Sequence, residues 1–143
     1  MTRPALSLAL IALLAAPALA QEAPKATPPG PAMSAAEFDA YTRGRTFTYG
    51  ADGAPYGAEE YLSNRRVLWS FLDGDCDAGR WYEDSGLICF VYERTPDPQC
   101  WSFEQGTGGG LIATFRGPGE QTELYEMQSS PEPLACPGPE VGV

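Results

Sequence analysis

A chain of 143 residues, 43% of them hydrophobic, is long enough for one core-bearing domain, and its formal charge of −10 disfavours nucleic acid and anionic membrane surfaces. Histidine is absent, which removes Ser-His and Cys-His nucleophiles, histidine general bases, haem ligation by histidine and most zinc sites. The single lysine, Lys25, lies in a Pro/Ala-rich stretch, so Schiff-base chemistry in a folded domain is not expected.

Residues 1–20 read as a secretory signal peptide. Arg3 supplies the positive start, Ala5 to Ala16 form an apolar run too short to span a bilayer, and Ala18-Leu19-Ala20 is a small-residue cleavage site. No later stretch is long and apolar enough for a membrane span. The product is therefore expected to be secreted, in a periplasm or outside the cell. Residues 21–32 (QEAPKATPPGPA) read as a disordered or polyproline-like linker.

The folded domain is expected over residues 33–128. It opens with a short helix, because Ser34 and Glu37 have capping-box spacing, Met33 and Phe38 can form a hydrophobic staple, and Gly44 suits the position after the last turn. Phe38 and Tyr41 share a face that would plug an open end or an edge of a sheet.

From Arg45 onward the apolar period becomes two, the signature of strands. Phe47 and Tyr49 alternate with threonines; Gly57 to Leu62 is a weaker strand; Val67, Trp69 and Phe71 alternate with Arg66, Leu68 and Ser70. Taking Glu83-Asp84-Ser85-Gly86 as a turn sets Trp81 opposite Ile88 and Arg80 opposite Cys89. A second hairpin with Cys89 opposite Cys100 sets Ile88 against Trp101 and Phe90 against Gln99. The inward face would then carry Trp81, Ile88, Phe90, Trp101 and Phe103, with both cysteines on the other face. Leu111 to Arg116 and Thr122 to Gln128 are the last strands, and residues 129–143 form a Pro-rich tail.

Four cysteines in a small exported domain read as two disulfides. Strand register favours Cys89–Cys100, with Cys76–Cys136 clamping the tail; the rival pairing is Cys76–Cys89 with Cys100–Cys136. The expected fold is mainly β: a small antiparallel meander barrel, or strongly curved sheet, of seven to eight strands with one short N-terminal helix.

Three groups of residues could carry chemistry. Asp73, Asp75 and Asp77 alternate as in the first half of a calcium loop, but Ala78 stands where the loop glycine belongs, so a solvated acidic loop competes with a metal site. Glu59-Glu60 and Glu83-Asp84 could pair for acid-base work, although such pairs are usually solvated faces. The aromatic set, with Trp69, Trp81, Phe90, Tyr92 and Trp101 as candidate ligand-binding residues, could line an apolar pocket or stack on a sugar; core packing is the competing role. Arg65-Arg66 and Arg80 on the other face could clamp an anion or pair with Glu59-Glu60. No catalytic residue is assigned and no cofactor is called for; Gly106 to Gly110 has neither the spacing nor the context of a nucleotide-binding loop.

The segments GRWYE (79–83), LICFVYE (87–93) and QCWSF (99–103), with SAAEFDAY, PYGAEEYL and the closing CPGPEVGV, resemble a family of small secreted proteobacterial proteins of uncharacterised function. The resemblance covers essentially the whole mature domain and implies no catalytic residue. Some members carry the label dihydrodipicolinate reductase. That activity needs a nicotinamide-binding half and a second domain, neither of which these residues provide.

Together these features suggest an exported, disulfide-stabilised β-barrel-like binding or accessory domain that offers its mouth or surface to a small molecule or an envelope protein. The alternative is a structural or interaction module with a filled core, and a calcium- or carboxylate-dependent enzyme is a third. An interior of a few hundred Å³ would favour the first, and a solid aromatic core the second.

Overall fold

The computed structural model describes residues 30–136, so the leader, nearly all of the linker and the end of the tail lie outside the described residues. Helix α1 (Ala35–Thr42) is followed by β1 (Arg45–Ala51), β2 (Ala54–Tyr61), a 3-10 turn over Ser63–Arg65, β3 (Arg66–Ser70), β4 (Asp77–Asp84), β5 (Leu87–Tyr92), β6 (Gln99–Gln105), β7 (Leu111–Phe115) and β8 (Glu123–Ser130). Each strand pairs antiparallel with the next, and β1 pairs with β8, which closes an eight-stranded barrel. Closure leaves no unpaired sheet edge, which settles the choice between barrel and curved sheet. Among the described residues no helix is long and apolar enough to cross a membrane.

The helix forms as its punctuation predicts. Ser34 Oγ accepts the Glu37 amide, Glu37 Oε2 accepts the Ser34 amide at 2.8 Å, and Gly44 takes φ +75° just beyond the C-cap. Phe38 is completely buried and enters one end of the barrel, edge-on to Trp81 and Tyr61 at 5.2 and 5.5 Å. Tyr41 sits beside Phe47, and its hydroxyl donates to Glu126 on β8. The helix thus plugs one mouth of the barrel and leaves the other without a helical cover.

The β5–β6 register is the expected one, with Ile88 opposite Trp101 and Phe90 opposite Gln99. Cys89 and Cys100 face each other and are bonded, and Cys136 is bonded to Cys76. The β4–β5 hairpin differs from expectation. Only Ser85 and Gly86 form its loop, both at positive φ, and Trp81 therefore lies opposite Phe90 and Arg80 opposite Val91. The slip is two residues, so every side chain keeps its face. The β2 strand is longer than its weak signal suggested, reaching back to Ala54, while β3 stops at Ser70. Phe71 is left 58% exposed, and Leu72 turns the chain at φ +65°.

Beyond β8 the tail runs back over the outside of the barrel. Glu132 offers its carbonyl to Thr46, and the Leu134 amide donates to Glu60 before the chain reaches Cys136.

Candidate functional site

Alternation decides what faces the barrel interior. Tyr49 on β1, Glu59 and Tyr61 on β2, Trp69 on β3, Asp77 on β4, Phe90 and Tyr92 on β5 and Trp101 on β6 all line one cavity of about 100 Å³ at the end away from the helix. Two glycines make room for its walls. A Cβ at Gly57 would overlap the Trp69 indole, and one at Gly79 would lie 2.7 Å from a ring carbon of Tyr92, so each ring occupies space that a side chain on the neighbouring strand would otherwise fill.

At the bottom of the cavity stands Glu59, 4% exposed. Tyr92 donates to its Oε1 at 2.8 Å, and the Tyr61 hydroxyl lies 3.5 Å from its Oε2. The Tyr61 and Tyr49 hydroxyls are 2.9 Å apart, which makes a chain of four polar side chains inside the aromatic core. Among the described residues no arginine or lysine lies within ion-pair distance of Glu59. Burial therefore dominates, and it pushes the Glu59 carboxyl up to about 8 against the smaller opposing pull of the Tyr92 and Tyr61 hydroxyls. Burial likewise holds Tyr49, Tyr61 and Tyr92 well above the usual phenol range. Near neutral pH this buried group of four is largely uncharged, three hydroxyls and a carboxylic acid.

The mouth is aromatic and acidic. Tyr56, Trp69 and Phe71 contact one another with centroids 5.3 to 6.1 Å apart, and Tyr56 and Phe71 remain exposed. Arg94, in the β5–β6 loop, reaches Asp77 at 3.6 Å and Asp75 at 3.7 Å, and its amide donates to Asp77 Oδ1.

Of the five aromatic residues singled out as ligand-binding, Trp69, Phe90, Tyr92 and Trp101 line the cavity. Trp81 does not: it is 2% exposed at the plugged end, beneath Phe38 and with the Arg65 guanidinium 4.5 Å from its ring. Asp73, Asp75 and Asp77 are not gathered around a common point. Asp73 caps the Asp75 amide, while Asp75 and Asp77 both face Arg94. Among the described residues no group of three acidic or cysteine side chains is placed to hold a metal. Glu83 and Asp84 cap their own hairpin loop. Arg66 and Arg80 oppose each other across the outer faces of β3 and β4, and neither pairs with Glu59 or Glu60 among the described residues.

Glu59 is the functional candidate that pattern reading missed by treating Glu59-Glu60 as a solvated pair. The available signal was its two-residue spacing from Tyr61, which puts both on one face; Glu60 alone points outward, to the tail. No family model matches the chain, and no curated protein or solved structure is detectably similar to it.

Proposed function

We propose that the protein is an exported binding domain that holds a small molecule in the open end of its barrel. The observation that carries this proposal is the 100 Å³ cavity itself, walled by Trp69 and Trp101 and floored by the polar group of Glu59 and Tyr92. Binding sites combine mostly apolar walls with a few placed polar groups. Size narrows the ligand: benzene fills an engineered cavity of about 150 Å³, so only a group smaller than benzene is fully enclosed, while the rest of a larger ligand would lie against Tyr56 and Phe71 at the mouth. Export is supported by the leader sequence and by the pairing of all four cysteines.

A fragment screen followed by two-dimensional amide and indole NMR tests the proposal. Binding in the cavity shifts the Trp69 and Trp101 indole signals and leaves Trp81, at the plugged end, in place. A screen in which no fragment moves the two cavity indoles refutes it. Shifts confined to Phe71 and Leu72 would instead support the alternative of an interaction module, since both side chains stand exposed at the rim.

A further inference from the structure

If the cavity is a ligand site, its lining also specifies the class of ligand. We propose that it receives an organic ammonium group, such as a methylated amine head, with Glu59 as counter-ion and the Trp69, Tyr92 and Trp101 rings as walls.

Three observations converge on this. First, Glu59 is an acid nine-tenths buried in an aromatic core with no cationic partner among the described residues, and its hydrogen bonds come from neutral hydroxyls alone. Buried without a cation the carboxyl keeps its proton, and a cationic ligand would supply the opposite charge that its ionised form needs. Second, the walls are aromatic rings. Phe90 and Tyr92 lie nearly parallel, 6.2 Å apart, and Trp69 is edge-on to Phe71 at the mouth. Ring faces attract cations within roughly 6 Å, indole most strongly, and a methylated ammonium is weakly hydrated enough to enter an apolar space. Third, the charges along the entry favour a cation. Asp75 and Asp77 at the entry both engage the single guanidinium of Arg94, which leaves no free cation there among the described residues, on a chain whose overall charge is −10. A methylammonium head is smaller than benzene and suits the volume, and the bulkier trimethylammonium head of choline would seat its leading methyl groups there with the rest between Tyr56 and Phe71 at the mouth.

Other titratable groups bear on the site. Tyr49 from β1, Tyr61 from β2, Asp77 from β4, Tyr92 from β5 and Arg94 from the β5–β6 loop face the cavity, and Glu126 on β8 lies near Tyr49. Burial holds Tyr49, Tyr61 and Tyr92 well above the usual phenol range and brings the Glu59 carboxyl to about 8, so Glu59 changes charge near neutral pH. An ammonium should bind the ionised form and release one proton. Its apparent affinity should then fall about tenfold per pH unit below about 8 and level off above it.

The test compares choline with 3,3-dimethylbutan-1-ol, its uncharged carbon isostere, by calorimetry at pH 6, 7, 8 and 9. Both molecules have the same shape, so charge alone separates them. Choline is expected to bind at least tenfold more tightly at pH 9, to lose that advantage towards pH 6, and to release a proton, seen as a heat that varies with buffer ionisation enthalpy. In Glu59→Gln the choline preference should vanish while the isostere binds as before; should that variant not fold, the wild-type comparison decides alone. Equal or tighter binding of the isostere at pH 9 overturns the ammonium assignment but leaves a small-molecule site standing. Failure of both probes overturns the assignment too, and the indole shifts in the fragment screen then report separately whether the cavity binds anything.

Discussion

Replacing Glu59 by glutamine should make the protein more stable in mild alkali, and the size of the effect follows from burial. The native carboxyl titrates near 8 against an ordinary value of 4.5. Between those values the folded chain keeps its proton and the unfolded chain has released it. Unfolding therefore becomes easier as pH rises, by about 1.4 kcal/mol per unit, and the cumulative loss from pH 4.5 to above 8 is about 5 kcal/mol. Below 4.5 the carboxyl is protonated in both states and its contribution is fully present. Glutamine can still accept from Tyr92 and cannot titrate. Urea melts of both proteins from pH 5 to 9, read by tryptophan fluorescence, should give similar stabilities near pH 5, a falling curve for the parent, and a difference of about 4–5 kcal/mol in favour of the variant at pH 9. Parallel curves would mean that Glu59 is ionised or hydrated in the native state and would refute the picture of a dry, uncompensated acid.

Further changes probe the frame around it. From loop lengths alone, with separations of 60 and 11 residues, removing Cys76–Cys136 should cost about 4 kcal/mol and removing Cys89–Cys100 about 3 kcal/mol, measured as urea midpoints of the paired alanine variants; midpoints equal to the parent's would contradict both. Trp81→Ala should cost about 3–5 kcal/mol, since the indole is buried against Phe38, and should leave ligand-induced shifts at Trp69 intact. Gly57→Ala should cost about 1–3 kcal/mol, because its methyl group displaces the Trp69 ring; an unchanged melt with an unchanged Trp69 signal would show that the ring has room to spare.

The alternation of large apolar residues made most strands legible, and the Cys89/Cys100 register followed from requiring Ile88, Phe90 and Trp101 to share a face. What pattern could not give was long-range or context-bound. Closure depends on β1 meeting β8, a pairing that leaves no local mark. The β4–β5 turn was misplaced because Ser85 accepts positive φ alongside Gly86, where a longer loop through Glu83 and Asp84 looked equally natural. The start of β2 was hidden by Ala54-Pro55, which has little strand preference. Glu59 was misread for a physical reason: an inward carboxyl is tolerable only when hydroxyls from Tyr61 and from Tyr92 on another strand arrive to meet it, and the second partner is 33 positions away.

The seam between β1 and β8 also has a kinetic consequence. Seven of the eight strand pairings join neighbours in the chain and can form as local hairpins. The seam joins residues 84 positions apart, as at Arg45 and Ser129, so its loop-closure entropy falls on one late step. An open, curved sheet should therefore precede the cylinder during folding, with the amides that bond across the β1–β8 seam protected last in a pulsed hydrogen-exchange experiment. Simultaneous protection of all eight strands would mean that the cylinder closes in a single concerted event.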